Sequence, residues 1–130
     1  MAQLAIRELL ASTRPDLAPY EELYKHFHRN PELSNLEKDT AAKVVDNLCK
    51  LNVFDIFERI GGGHGLAAVF KNGPGKTVLL RADMDALPVQ EKTNLPYAST
   101  KKMLDIDGNE KHVMHACGHD MHMTCLLAGQ

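Results

Sequence analysis

The sequence predicts an α/β fold in which helices pack on a central mixed sheet. Apolar residues recur at helical spacing as far as Asn52, and β-branched and aromatic runs replace that pattern from Val53 onward. Helical composition returns near the C-terminus. A chain of 130 residues, 44% hydrophobic and 25% charged, has the size and composition of one globular domain.

Composition excludes several classes of function. The formal net charge is -2 and no long basic block is present, which argues against a nucleic-acid partner. The longest apolar runs are a few residues, far below the roughly 20 that cross a bilayer, so we expect no membrane span. The first residues lack the pattern of a signal peptide, and three cysteines form no disulfide pattern. We therefore expect a cytoplasmic protein.

Three helices are predicted in the first half of the chain. Ala2–Leu10 has helix-forming composition, and Pro15–Asn30 repeats apolar residues every three to four positions until Pro31 ends the pattern. Ser34 and Glu37 stand three apart, the spacing of a capping box. A third helix is predicted from there to about Asn52, with one face formed by Leu36, Thr40, Val44, Leu48 and Leu51.

The strands of the sheet are predicted next. Val53–Glu58 is the first, and glycines 61–63 end it. Leu66–Lys71 and Lys76–Ala82 are predicted to form a hairpin through the turn residues 72–75. Because Thr77–Leu80 is apolar without alternation, it is expected to be buried on both faces. Val113–Ala116 is predicted as a further short strand.

Residues 86–110 contain two prolines and an Asp-Gly dipeptide, and predict a long loop with at most one short hairpin. Met121–Leu127 is apolar and predicts a buried helix that begins near Gly118 or Asp120. We expect the chain to end inside this helix.

The histidines and one cysteine mark a candidate site. Four of the seven histidines, at positions 112, 115, 119 and 122, fall within eleven residues together with Cys117. Thiolate and imidazole are ligands that zinc prefers, and Gly118 allows the backbone to bend so that Cys117 and His119 converge on one ion. Asp120 is suited to accept an imidazole N–H and hold the ring. The alternative is a buried cysteine beside surface histidines; Cys125 is predicted to be a core residue.

Two carboxylates, Asp83 and Asp85, follow the predicted strand and lie on one side of an extended segment. They are suited to ligate or orient a metal, although a purely structural loop has the same pattern. The residues from His28 to Ser34 favour capping and chain reversal at a helix end.

Four motifs occur in order between residues 28 and 120. They are His28-x-x-Pro31-Glu32-Leu33-Ser34-x-x-Glu37, Gly63-His64-Gly65-Leu66, Leu80-Arg81-Ala82-Asp83-Met84-Asp85-Ala86-Leu87-Pro88-Val89 and His115-Ala116-Cys117-Gly118-His119-Asp120. This set resembles the N-terminal third of the metal-dependent amidohydrolases: the N-acyl-amino-acid amidohydrolases, hippurate hydrolases and plant auxin-conjugate hydrolases, related to carboxypeptidase G and aminoacylase.

The resemblance implies a zinc-exopeptidase-like catalytic domain that binds two divalent ions, Zn, Mn, Co or Ni, and hydrolyses the amide bond of an N-acyl amino acid. It implies that Cys117 and His119 are metal ligands and that Asp85 supports the catalytic site. Asp83 and Asp120 are then expected to orient these ligands from outside.

The resemblance also implies what the chain lacks. The glutamate pair that supplies the general base, the later histidine ligands and the lid domain of such enzymes lie beyond Gln130. Residues 1–130 are therefore expected to be an incomplete, truncated N-terminal portion of the catalytic domain with little activity alone.

Two other functions are considered. In one, Cys117 is the nucleophile of a thiol enzyme, with His115 or His119 as its base. In the other, the chain is a non-catalytic fragment or module that aggregates or forms a homodimer through exposed strands.

Overall fold

The computed structural model describes residues 2–129, and side chains from residue 5 onward. The chain is a mixed α/β fragment with two small two-stranded sheets. Its elements, in chain order, are α1 (Ala2–Thr13), α2 (Ala18–Arg29), α3 (Lys38–Leu51), β1 (Asp55–Ile60), β2 (Gly65–Val69), β3 (Lys102–Leu104), β4 (Glu110–His112) and α4 (His119–Ala128). All four predicted helices are confirmed, with ends that differ by a few residues from those expected.

The main core lies where α2, α3 and α4 meet. Its buried members are Leu23, Phe27, Val44, Leu48, Met123 and Leu127. These positions recur three or four apart on their helices, so each helix buries one apolar face. No helix among the described residues has both the length and the apolar character needed to span a membrane.

The start of α3 differs from the capping box expected at Ser34 and Glu37. The Glu37 side chain makes no capping hydrogen bond to the helix, and its carboxylate accepts the Asn35 N–H at 2.9 Å. Glu32 caps instead, because its Oε2 accepts the Thr40 N–H at 2.7 Å. Thr40 is the third residue of α3, and its amide has no acceptor within the helix.

The predicted hairpin of Leu66–Lys71 with Lys76–Ala82 is wrong. β2 instead pairs antiparallel with β1, with Ile56 opposite Ala68, and residues 61–64 make the connection. Several glycines separate these strands, and Gly61 and Gly62 both have positive φ. Both glycine-containing turns are compatible with a reversal, so the local pattern could not decide between them.

The central mixed sheet is absent from residues 2–129, which contain two separate two-stranded antiparallel sheets. Residues 77–82, expected as a strand buried on both faces, form no strand and pair with no neighbour among the described residues. Val78, Leu79 and Leu80 are 81%, 87% and 68% exposed. Such a strand needs neighbours at both edges and layers on both faces, and the described residues supply neither.

The region predicted as a long loop contains one short hairpin, as expected: β3 pairs with β4, and Met103 lies opposite Lys111. Val113–Ala116 is not a strand. It contributes one isolated bridge, in which Met114 pairs with Leu87. Ala86 forms another bridge with Leu33, and Leu33, Ala86 and Val113 make a second small core.

Two expectations for α4 are corrected. Cys125 is exposed, not buried, because the face of α4 that packs inward carries Asp120, Met123, Thr124 and Leu127. The helix also ends at Ala128, before Gly129, whose N–H donates to the Cys125 carbonyl.

Candidate metal centre

Backbone hydrogen bonds bring three of the four sequence motifs together. The Ala86 N–H donates to the Glu32 carbonyl at 2.7 Å, which joins the Asp85 segment to the middle of the first motif. Leu87 and Met114 exchange two N–H to carbonyl bonds, each 3.0 Å long. Asp85 is therefore held next to the segment that leads into Cys117. The motif at Gly63–Leu66 lies elsewhere, in the β1–β2 connection and the start of β2.

His119, the first residue of α4, contacts Asp85 through one ring nitrogen. His119 Nδ1 lies 2.9 Å from the Asp85 backbone oxygen and 3.1 Å from the carboxylate Oδ1. A carbonyl oxygen can only accept, so Nδ1 carries the proton and the neutral ring keeps its lone pair on Nε2. That nitrogen lies 4.0 Å from Asp83 Oδ2. Histidine ligands of metals are commonly oriented in this way, through the nitrogen that does not bind the ion.

Cys117 is exposed and separated from His119 by one residue. Gly118, the residue between them, has φ +80° and is the N-cap of α4. The bend that the sequence predicted at Gly118 is therefore present. The two candidate ligands stand on either side of a left-handed turn at the start of a helix.

Asp83 and Asp120 have different surroundings. Asp83 is partly exposed, and its Oδ1 accepts from Arg81 at 2.5 Å. Asp120 is buried, and its Oδ2 lies 2.7 Å from His28 Nδ1. The imidazole that Asp120 accepts from is thus on α2, while Asp85 is the residue that orients His119.

His28 lies between two buried carboxylates. Its other ring nitrogen, Nε2, is 3.0 Å from Glu91 Oε1, and the Glu91 side chain is fully buried. Glu91 also accepts the Ser99 N–H at 2.5 Å and the Thr93 hydroxyl. The rings of Tyr24 and Tyr97 pack against the His28 ring at centroid distances of 5.7 and 5.4 Å.

The electrostatics of this cluster follow from its hydrogen bonds. Burial by itself would lower the pKa of His28, but the hydrogen bonds to Asp120 and Glu91 outweigh it and raise the pKa above 6.5. Burial would raise the pKa of Glu91, yet the bonds from Thr93, Ser99 and His28 lower it below 4.5. A protonated ring between two carboxylates satisfies all three groups.

Sequence reasoning assigned neither residue a role in the site, although His28 is the first residue of the first motif. His28 was interpreted as part of a helix end, and Glu91 was assigned no role. Asp120 and Glu91 lie 92 and 63 positions from His28 along the chain, and no local sequence pattern reveals contacts over such separations.

His115 is buried, and neither ring nitrogen has a hydrogen-bond partner among the described residues. Burial is the main cause that lowers its pKa, which favours the neutral ring. A buried neutral imidazole without partners costs free energy unless another group completes its bonding.

The donor set fits a borderline first-row metal ion, because it combines a thiol, an imidazole with a free lone pair and nearby carboxylates. Within residues 2–129, however, no three His, Cys, Asp or Glu side chains gather closely enough to hold an ion. The described residues therefore hold no complete ligand set. Among the described residues the thiol-enzyme alternative lacks a bond between nucleophile and base, since neither ring nitrogen of His115 has a partner and the His119 ring contacts Asp85 and Asp83 rather than Cys117.

Comparisons with known proteins give the class. Residues 79–129 match the sequence model of a hydrolase family described as Peptidase family M20/M25/M40. The chain is 43% identical over 108 residues to hippurate hydrolase of Campylobacter jejuni, with 83% of this chain and 26% of that protein covered. It is 34% identical over 127 residues to the N-acyl-L-amino acid amidohydrolase of Geobacillus stearothermophilus, covering 98% of this chain and 31% of that protein.

A solved structure agrees. The YxeP protein of Bacillus subtilis, described as a dinuclear metal binding peptidase from the M20 family, superposes with a TM-score of 0.70 at 33% identity. The superposition covers 84% of this chain and 28% of that one. The chain is thus a partial member of the M20 peptidase and amidohydrolase family, and it spans about a quarter of the length of these relatives.

Proposed function

We propose that this chain is the N-terminal portion, residues 1–130, of the catalytic domain of a metal-dependent amidohydrolase that cleaves N-acyl amino acids. The observation that carries the proposal is the orientation of His119. Asp85 accepts the hydrogen bond from Nδ1–H and so leaves the lone pair on Nε2, with one residue of left-handed backbone, Gly118, between His119 and Cys117. The acylated amino acids named for the relatives give the substrate class.

The residues of the chain have separate tasks in this proposal. Cys117 and His119 hold an ion, Asp85 fixes the tautomer and direction of His119, and Asp83 adds negative charge on the Nε2 side. The chemistry that bound divalent ions supply is polarisation of the amide carbonyl and activation of water. Completion of the central mixed sheet around residues 77–82 belongs to the same proposal, because that segment needs neighbours.

Cobalt titration tests the ligands. With the thiol and imidazole in place, Co²⁺ should produce a thiolate-to-metal absorption band, and Cys117→Ser should abolish it. His119→Gln should weaken cobalt affinity at least 10-fold, since the loss of even an orienting partner costs 10- to 100-fold. Cys125→Ser is the matched control, because it removes another exposed thiol from α4. A band that persists in Cys117→Ser would refute the assignment.

Alkylation separates the proposal from a thiol enzyme. If Cys117 is a ligand, added Zn²⁺ slows its reaction with iodoacetamide and a chelator restores the rate. Equal rates with and without metal would favour the thiol enzyme.

Turnover is the third test. The chain alone should hydrolyse N-benzoyl or N-acetyl amino acids at least 10²-fold more slowly than a complete relative, the smallest contribution expected of a positioned general base. Rates equal to those of a complete enzyme would show that the chain holds all of its catalytic groups.

A further inference from the structure

His28 lies on α2, outside the two segments that carry His119 and Asp85, but its hydrogen bonds reach both of them. On one side His28 bonds Asp120, which directly follows His119 in the first turn of α4. On the other side it bonds Glu91, in the loop that begins at Asp85. His119 and Asp85 in turn contact each other.

These three contacts and the chain segments between them form a closed ring. It runs from His28 to Asp120, along the chain to His119, across to Asp85, along the loop to Glu91 and back to His28. Each non-covalent link joins groups at hydrogen-bond distance, between 2.7 and 3.1 Å. Rotation of α4 or displacement of the loop must break at least one link.

Burial makes the His28 links strong. His28, Asp120 and Glu91 are almost or wholly excluded from solvent, so charge-assisted bonds among them are weakly screened. The rings of Tyr24 and Tyr97 also pack against the imidazole, one tilted and one edge-on. Removal of His28 would leave two buried carboxylates without their shared cation, and they would repel each other.

We propose that His28 is a positioning residue of the metal centre: by bonding Asp120 and Glu91 it fixes α4 against the Asp85 loop and so sets the direction of the His119 ring. The inference rests on the proposed function, because it assigns His28 to the site that Cys117 and His119 form. His28 itself contacts neither candidate ligand through its hydrogen bonds.

The test uses the 130-residue chain, cobalt titration and ring-nitrogen NMR of ¹⁵N-labelled histidine. In the wild type the His119 ring should show one tautomer, protonated at Nδ1. His28→Gln should lower cobalt affinity about 10- to 100-fold, as expected for an outer residue that orients a ligand, and should mix the His119 tautomers. His26→Gln is the matched control on the same helix, and should change neither readout.

Glu91→Gln guards against a variant that fails to fold. It keeps the shape of the side chain and removes the charge, so the fold should persist while cobalt affinity falls and His119 loses its single tautomer. If His28→Gln or a folded Glu91→Gln binds cobalt like the wild type and keeps one tautomer, the positioning role is overturned.

The two proposals fail differently. If the wild type gives no thiolate–cobalt band, the metal-ligand assignment fails. The tautomer measurement without metal still decides the role of His28, because it reads the His119–Asp85 geometry directly.

Discussion

At the scale of single residues, the buried charges are the most unusual feature of the chain. His28 and Glu91 have pKa values displaced in the directions that favour the ion pair. Because the pKa of His28 is raised on folding, its contribution to stability is complete below pH 6.5 and is lost as pH rises through the raised value. The contribution of Glu91 is complete above pH 4.5 and is lost as pH falls through its lowered value.

A pH series on Glu91→Gln tests this ion pair. At pH 6 the free energy of unfolding of the variant should be about 1.5–3 kcal/mol lower than that of the wild type, which is the range for a hydrogen bond to a charged group. The deficit should shrink above the raised pKa of His28. Urea unfolding at pH 5 to 9 measures it.

The difference in unfolding free energy between wild type and variant is the quantity to follow. Burial lowers the pKa of His26 and His115, so their contributions to stability have the opposite pH dependence to that of His28. Those terms are common to both proteins. The other titratable groups near His28 are Asp120, Tyr24 and Tyr97. A deficit that is constant from pH 5 to 9 would contradict the assigned ion pair.

Residue chemistry made part of this site predictable. Cys117, His119 and Asp85 stood out because thiol, imidazole and carboxylate near a glycine or a strand end suggest metal binding. The ligand roles of Cys117 and His119 and the supporting role of Asp85 stay predictions. No site role could be predicted for His28, although it opens the first motif, or for Glu91, because what distinguishes both is burial against distant partners.

At the scale of elements, α3 depends on a side chain outside the helix. Glu32 accepts the Thr40 N–H, and its other oxygen lies 3.7 Å from Lys101 Nζ.

Replacement of Glu32 tests the cap. Glu32→Ala should lower the free energy of unfolding by about 1–2 kcal/mol, the usual cost of a lost cap. Glu32→Gln keeps an acceptor and should cost less. Glu37→Ala removes the residue that the sequence favoured as a cap and should cost less than Glu32→Ala; the reverse order in urea unfolding would refute the cap.

The helices were predictable because their apolar spacing repeats over several turns, as in the buried positions of α3. Strand pairing was not, because short apolar runs do not say which neighbour they join. Two cases illustrate this. The strand at Gly65–Val69 pairs with the strand before it in the chain, and residues 77–82, its expected partner, form no strand.

At the scale of the whole molecule, an apolar run is left in solvent. Val78, Leu79 and Leu80 are all more than two-thirds exposed, beside a backbone with no pairing partner in residues 2–129. An exposed extended apolar segment promotes association between chains.

A charge in this run should therefore increase the share of monomer. Leu79→Lys should reduce concentration-dependent association in sedimentation velocity, with little effect on stability, because Leu79 is 87% exposed. Ile106→Lys is a control at an exposed apolar residue outside the run. Equal association of the wild type and Leu79→Lys would show that another surface is responsible.

Gly118 places an unusual demand on the molecule. A Cβ at this position would meet no atom within 4 Å, so volume does not exclude a larger residue. The backbone torsion disfavours a larger residue, since an L-residue with φ near +80° is strained by roughly 1–2 kcal/mol. A larger residue here would relieve that strain by rotating the backbone between Cys117 and His119. The absence of a Cβ at position 118 therefore helps to set the distance between the two side chains proposed to share an ion.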